Sequence, residues 1–532
     1  MSGASLAGTG QLLRLAWRRD RVAIPVTVAV LVAFAVGSAK ATLALYPTTA
    51  SLGPGIEQIF ASPAAVALYG PISDPTSPDA LAVVKTTMMG AVMLAIFAYA
   101  LVRRHTRTEE EEGRFELVAG GVVGRQAPLA AAVLLSTVVV LLTCALTAAG
   151  YAAIGMDRTG SIAAAAGWAA TGLSFVGIAA VAAQLASTTR GTAGWAMGAL
   201  GLAFLVRAIA DTSASAPGWL GWLSPVGWTT KASPFGANRT WVILLGAALL
   251  VVCLAVATAL LQRRDLGAGM LPARRGAAHA GPSLGTPEGL AWRLGRTSLL
   301  GWTIGMAVGG MVVGNLAASA SDLLADPAIA DLLRKMGGGQ GLLIDVYVTT
   351  ELGFISIIAA AYGIIAILRW RAEEVSGHSE QVLATAVRRG RYAASQVLLA
   401  LVGTLVLALV LGVFMALADK GGSMGGLGRI LPAALVRVPA IWVVVGLAAA
   451  AVGLAPRWAA SMSWGALGFF LLVGEFGQLL NLPGWLVDLA PFTHAPRMPI
   501  EPFALAPVLW LLATAAVLVG AGVWGFRRRD LC

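Results

Sequence analysis

Apolar residues fall along this chain in long blocks, not in the period-two alternation of strands or the one-sided stripe of helices that face water. Six blocks of roughly 20 residues, the length that crosses hydrocarbon as a helix, lie near 22–41, 81–102, 129–151, 161–185, 193–210 and 240–262. Six more lie near 297–318, 346–368, 395–417, 435–454, 459–480 and 504–526. Polar clusters separate them. A helix satisfies all of its backbone groups internally, so the pattern predicts an all-α polytopic membrane protein of about twelve spans.

Composition strengthens that reading. Hydrophobic residues are 58% and charged residues 12% of the 532 positions, with a mean hydropathy of +0.80. Bilayer is the expected solvent. The net charge of +11 would raise nucleic acid as a partner in a soluble chain, but its distribution excludes that here. Arg14, Arg18, Arg19 and Arg21 precede the first block, and Arg103, Arg104, Arg107, Arg114 and Arg125 follow the second. Arg263, Arg264, Arg274, Arg275, Arg293 and Arg296 sit at the centre of the chain. Arg369, Arg371, Arg388, Arg389 and Arg391 follow the eighth block, and Arg527 to Arg529 follow the last. Basic residues on alternate loops mark the cytoplasmic side, so both termini are expected there and the number of spans is even. The first block reads as a retained span, not a cleaved leader. Cys144 and Cys253 fall within blocks and Cys532 lies beyond the last, so no disulfide framework or metal-ligand spacing is offered.

Motifs recur in order along the two halves. Leu15-Ala16-Trp17-Arg18 returns as Leu290-Ala291-Trp292-Arg293. Arg107, Glu109-Glu110, Gly113 and Glu116 return as Arg371, Glu373-Glu374, Gly377 and Glu380, a shift of 264 (371 minus 107). Gly198-Ala199-Leu200-Gly201 returns as Gly465-Ala466-Leu467-Gly468, Leu223 and Pro225 as Leu489 and Pro491, and Arg263-Arg264-Asp265-Leu266 as Arg528-Arg529-Asp530-Leu531. A fixed period of this kind marks duplication. The expected organisation is a six-span half over 1–262, a Gly/Ala/Pro/Arg-rich cytoplasmic linker over 263–290, and a second six-span half over 291–532. Halves that begin and end on the same side are parallel repeats about an axis along the membrane normal.

The segment RTEEEEGRFE, residues 107–116, places five carboxylates between two apolar blocks. On a continuous helix Glu109, Gly113 and Glu116 share a face, and Glu110 pairs with Arg114 at i, i+4. Glu373, Gly377 and Glu380 repeat that layout. Two readings stand: charges that only hold a solvated loop out of the bilayer, or a docking element for a basic cytoplasmic partner. The segments around Trp17 and Arg18 and around Trp292 and Arg293 suit interfacial helices, or serve only as topology signals.

Together these features resemble the membrane subunits of type-2 ABC exporters, and more narrowly the fused actinobacterial exporters of polyketide antibiotics, of the tetronasin-transport kind. The resemblance covers nearly the whole length. It implies a permease in the bacterial plasma membrane that effluxes hydrophobic or amphiphilic antibiotics. It also implies that Glu109, Glu110, Gly113, Glu116, Glu373, Glu374, Gly377 and Glu380 form coupling helices seated on a separate ATPase. Two ATPase copies would serve one fused chain, and ATP and magnesium would reside on them, with no cofactor on this chain. No G-x-x-x-x-G-K-[ST] phosphate loop occurs here, and Lys40, Lys85, Lys231, Lys335 and Lys420 follow no cradling glycine loop. This chain therefore reads as a transport subunit and not an enzyme.

Charges in spans mark pathways or structural pairs. Arg207 and Asp211 stand at i, i+4 near the end of the fifth block, Glu351 near the start of the eighth, and Glu475 inside the eleventh, where it is the strongest candidate for a substrate pathway. Trp219, Trp222, Trp228, Phe235, Trp485 and Phe492 read as an interfacial aromatic belt. The alternatives are a proton-driven facilitator with six plus six spans, and a membrane-embedded lipid-modifying enzyme using Asp74, Asp79 or Asp326. The first lacks its usual G-x-x-x-D-R-type loop, and turn chemistry accounts for the three aspartates.

Overall fold

The computed structural model describes residues 3–49, 63–114, 116, 121, 123–213, 216–265, 267–271, 279–324, 340–419, 422, 424–476 and 483–530. Side chains at 3–4, 63–64, 318–324, 340–343 and 475–476 lie outside that description. The chain divides into two compact units, Met1–Gly276 and Ala277–Cys532.

In the first unit the main helices are α1 (Thr9–Asp20), α2 (Ala23–Leu45), α3 (Pro63–Tyr69), α4 (Pro78–Arg104), α5 (Arg107–Glu111), α6 (Ala127–Ala153), α7 (Arg158–Leu185), α8 (Thr189–Thr212) and α9 (Val242–Arg263). The second unit holds α10 (Pro287–Leu324), α11 (Gln340–Val375), α12 (His378–Leu383), α13 (Arg389–Ala418), α14 (Leu427–Leu435), α15 (Val438–Leu454), α16 (Ala459–Phe476) and α17 (Leu505–Arg528). Among the described residues eleven helices, some counted across short breaks, are long and apolar enough to span a membrane. The expected run over 459–480 is described only as α16, because 477–482 lie outside the described residues.

Local chemistry sets the starts of the spans. Ser77 caps α4 by accepting from Ala80 N, with Pro78 in the first turn where its missing N–H costs nothing. Asp157 caps α7 through Gly160 N at 2.7 Å, and Thr188 caps α8 through Gly191 N at 3.0 Å.

The fourth span is the centre of each unit. Its most apolar stretch is 89% buried in α7 and 78% buried across α14–α15, against 22% for α2, α8 and α9. Lipid supplies no hydrophobic drive between helices, so close packing of small residues does the joining. α7 is rich in Ala and Gly, and a Cβ at Gly246 of α9 would lie 2.4 Å from the Ala170 carbonyl oxygen. In the second unit a Cβ at Gly453 of α15 would lie 2.0 Å from the Gly522 carbonyl oxygen of α17. Backbone meets backbone at both crossings.

Two expectations change, and one element is added. The tenth block, 435–454, is met by α15, and a separate short helix, α14, stands before it, the two parting at Val436–Arg437 between Pro432 and Pro439, since proline removes a ladder N–H and crowds the preceding turn. The Trp292/Arg293 segment is no separate interfacial helix but the first turns of α10, whereas α1 is set off from α2 at Arg21–Val22. Of the proposed aromatic belt, Trp228, Phe235 and Phe492 are buried while Trp219 and Trp485 are exposed. The buried rings are core because their loops fold back between helices.

Candidate functional site at the charged inter-span segments

The repeated acidic segment is not the continuous helix its spacing suggests. α5 ends at Glu111, and Gly113 takes a left-handed φ of 70°. In the second unit α11 ends at Val375 and Gly377 takes a φ of 75° ahead of α12. Glycine is the residue that adopts this conformation without a Cβ penalty, which is why it sits between the carboxylates. The backbone closes alike in both places. Gly113 N donates to Glu110 O and Gly377 N to Glu374 O, each at 3.1 Å, and Glu116 N to Gly113 O and Glu380 N to Gly377 O, each at 3.2 Å.

That break sorts the carboxylates into two roles. Glu110 turns inward, accepting from Arg107 Nη1 at 2.8 Å and from Arg264 Nη2 at 2.6 Å and Nη1 at 2.9 Å. Its pairing with Arg114, expected from spacing, does not form; Arg114 instead reaches Glu109 at 3.1 Å and also pairs with Glu112. Arg107 also caps the end of α7 by donating to Ala183 O, at 3.1 Å through Nε and 2.6 Å through Nη2, where a cation meets the negative end of the helix dipole. Arg264 Nε donates to Gln184 Oε1 at 2.8 Å. The acidic segment, the end of the fourth span and the end of the sixth are thus fastened at one point.

The second unit repeats the tie between the acidic segment and the last span. Glu374 pairs with Arg371 at 3.1 Å and with Arg529 at 2.5 Å. Arg389 Nη1 donates to Arg529 O at 2.9 Å, and Arg125 Nη2 donates likewise to Arg264 O. The two locks differ in what they hide: side-chain exposure is 0% for Arg107, 12% for Glu110 and 3% for Arg264, but 22% for Arg371, 1% for Glu374 and 18% for Arg529. The sequence shows Arg264 and Arg529 as loop charge within a repeated motif, without their partners. Their recurrence at nearly the same shift as Glu110 and Glu374 was the available signal.

The outer faces of these segments hold the other candidates. Glu109 is partly covered, pairing with Arg19 of α1 and with Arg114. Glu373 reaches His378 Nδ1 at 3.2 Å. Gly113, Glu116 and Glu380 are exposed, and nothing lies within 4 Å of a Cβ placed on Gly113 or Gly377. Trp17, Arg18, Trp292 and Arg293 are exposed while Ala16 and Ala291 between them and the bundle are buried. Buried Asp20 ties the end of α1 to α4 through Arg104 at 2.8 Å and His105 at 2.7 Å.

Of the pathway candidates, Arg207 and Asp211 belong to the first unit and Glu351 and Glu475 to the second. Arg207 is fully buried and donates to Val66 O at 3.0 Å and Ala67 O at 2.5 Å, closing α3 onto α8. Asp211 lies 3.8 Å from Arg207 and 3.5 Å from Lys231. These form a structural pair. Glu351 is half-buried on α11, and Glu475 falls in the last turn of α16 with its side chain outside the described residues. Asp74 accepts from Thr76 Oγ1 at 2.7 Å and Thr76 N at 2.9 Å. The hydroxyl first and the N–H second hold its carboxyl below the ordinary range, which suits a turn and not a proton donor. Asp79 accepts from Asp157 N at 3.1 Å, and Asp326 lies outside the described residues.

Among the described residues, eleven apolar helices with charged segments fastened to their ends define a multi-pass α-helical membrane protein. A family model described as "Multidrug efflux system permease Rv1217c, C-terminal domain" matches residues 10–263 and 284–527. Each matched stretch lies within one structural unit. The chain is 39% identical over 535 residues to the multidrug efflux system permease protein Rv1217c of Mycobacterium tuberculosis (strain ATCC 25618 / H37Rv), covering 99% of this chain and 96% of that one. The chain belongs to this family of multidrug efflux permeases.

Proposed function

We propose that this protein is the membrane-spanning subunit of an ATP-driven ABC exporter, moving hydrophobic or amphiphilic drugs out of a bacterial cell and energised by two copies of a separate ATPase. The observation that carries the reading is the duplicated lock: in each unit an acidic segment between the second and third spans is held by an Arg–Glu–Arg triad to the end of the sixth. A push on such a segment would move span ends as a body. The two stretches that one family model matches support a duplicated permease, and the basic loops support placing the locked ends and both termini in the cytoplasm.

This reading divides the labour among the coupling residues. Gly113, Glu116, Gly377 and Glu380, with Glu109 and Glu373 at the margin, present the surface a basic groove of the ATPase would meet. Glu110 and Glu374 transmit. The cycle then runs from ATP-driven closure of the ATPase pair, through the two acidic segments, to rearrangement of the spans.

The test is purification of the tagged chain in gentle detergent from its native host, with identification of what accompanies it. A nucleotide-binding subunit at two copies per chain, drug-responsive hydrolysis, and loss of both on charge reversal at Glu116 and Glu380 are expected. Efflux that survives ATP depletion and collapses with a protonophore would replace this reading with a proton-driven carrier.

A further inference from the structure

Helix α1 turns its charge away from the bundle. Ala16 is buried against Ile24, Leu101 and Leu135, with Leu13 beside it. On the opposite face Arg14, Arg18 and Arg21 stand at i, i+4 and i+7, a line that runs along the helix to the residue just past its end. All three are exposed, and among the described residues none has a carboxylate within ion-pair reach. The stretches flanking α1 and the acidic segment that lie outside the description, 1–2, 115, 117–120 and 122, include no Asp or Glu.

The two edges of the helix differ. Leu15 and Arg19 line a hollow of about 70 Å³ together with Glu109 and Arg114 of the acidic segment and Pro128 of α6, and Arg19 pairs with Glu109. On the other edge Trp17 is 47% exposed. The first span starts at Ala23, so α1 lies where the bilayer surface meets the bundle. The acidic segment is to one side of it, and to the other is an indole, a side chain that favours the headgroup level. The arginine line between those edges is therefore placed beside the headgroup layer.

Both ends of α1 are fastened to the chain around the acidic segment. Asp20 holds Arg104 and His105 just before that segment, and Arg19 holds Glu109 within it. Ahead of the helix, Ala7 O accepts from Gly124 N at 2.9 Å and Ser5 O from Gln126 N at 3.1 Å, just after the segment. The matching stretch of the second unit is built otherwise. At a shift of 275 (290 minus 15), Gly289 stands for Arg14, Leu294 for Arg19 and Gly295 for Asp20. A Cβ at Gly295 would lie 3.0 Å from Arg369 Nη1, and the stretch runs on as the first turns of α10. The arginine line and its ties to an acidic segment belong to the first unit.

We infer that the outer face of α1 is a recognition surface for acidic phospholipid headgroups, and that headgroups held there steady the acidic segment at 107–116. Arg14, Arg18 and Arg21 supply fixed charge and forked donors that match a phosphodiester. Each free arginine beside a span raises attraction to an acidic leaflet by about fivefold, less at high salt. A zwitterionic headgroup carries the same phosphate with a compensating ammonium, so net charge is what the face discriminates. Arg19 and Asp20 pass the effect on, because a helix held at the headgroup layer holds Glu109 and the end of α4 with it. Lipid binding and segment order are measurable without drug, ATP or a partner, so this inference and the export reading stand or fall separately.

The experiment equilibrates the full chain with phosphatidylglycerol and phosphatidylcholine in mixed micelles and counts the lipid it retains by native mass spectrometry. A second measurement follows hydrogen exchange over 106–116 in discs of either lipid. The parent is expected to prefer phosphatidylglycerol, the more so at low salt, and Arg14→Gln/Arg18→Gln/Arg21→Gln to lower that preference by about tenfold or more. Arg14→Lys/Arg18→Lys/Arg21→Lys is expected to keep most of it, and Arg158→Gln/Arg239→Gln, at exposed arginines elsewhere in the same unit, to leave it unchanged. Exchange over 106–116 is expected to be about threefold slower in phosphatidylglycerol for the parent, and equal in the two lipids for the triple Gln variant. Arg19→Gln is expected to retain the acidic lipid yet lose the difference in exchange. An unchanged preference in the triple Gln variant, or an equal loss in Arg158→Gln/Arg239→Gln, overturns the recognition surface. Displacement of the retained lipid by poly-glutamate at equal charge would assign the face to an acidic polypeptide and overturn it too, and equal exchange of the parent in both lipids overturns the steadying of the segment.

Discussion

Glu110 and Glu116 are six positions apart in one acidic segment, yet one is locked between two arginines and the other faces solvent. Removing one partner from a buried ion pair strands the other charge, at a cost of about 3–5 kcal/mol. Glu110→Gln and Arg264→Gln are therefore each expected to lower the melting temperature in detergent, and the double variant to lose less than the two losses added. Glu116→Gln is expected within about 0.5 kcal/mol of the parent. Additive losses at Glu110 and Arg264 would mean that the two side chains are not coupled. Gly113→Ala and Gly377→Ala meet no neighbour, so each should cost only the left-handed penalty, roughly 1–2 kcal/mol, and Asn at either place less than Ala. At this scale the sequence shows which residues recur but not which ones touch. Arg107, Glu110 and Arg264 all belong to repeated motifs, but Glu110 and Arg264 are 154 positions apart, beyond the reach of any local pattern. The i, i+4 pairing read for Glu110 and Arg114 failed because the spacing was projected past Glu111, where the helix ends ahead of left-handed Gly113.

Helices were the most legible elements, because a run of about 20 apolar residues has few other stable forms in a bilayer. Their ends were less so. The short helix α14, parted from α15 between Pro432 and Pro439, stands ahead of the apolar block at 435–454, and Trp228, Phe235 and Phe492 look interfacial by type and loop position while the fold buries them. Packing between elements turns on the backbone crossings. Gly453→Leu or Gly522→Leu is expected to force α15 and α17 apart, seen as loss of the monodisperse peak on size exclusion and a sharp fall in yield. Gly465→Leu on α16, where nothing lies within 4 Å of the added Cβ, is expected to purify like the parent. Identical profiles for all three would show that the close approach contributes little to the unit's integrity.

Over the whole molecule the two units carry the same lock with different burial, and each keeps its own core. Hydrogen exchange offers a direct measure of that independence. Glu110→Gln is expected to speed exchange at the ends of α7 and α9 and leave α11, α12 and α17 as they were; Glu374→Gln is expected to do the reverse. Spread of the effect from either site into the other unit would mean that the locks act as one device. The recurrence of the charged motifs was visible in sequence because they stand at matching shifts. The unequal burial of the two locks was not, since the residues that cover each triad lie on helices that sequence alone does not pair.

Each lock joins residues that leave the ribosome far apart in time. Arg107 and Glu110 emerge after the second span, and their last partner, Arg264, only at the end of the sixth, with Arg529 arriving 155 positions after Glu374 in the same way. Until then a half-built unit carries a carboxylate with one arginine where its finished form needs two. Closure of the triad thus marks completion: a unit whose sixth span is missing or inverted cannot bring its final arginine to the acidic segment, and it retains an open, charged seam by which incomplete chains are distinguishable from finished ones.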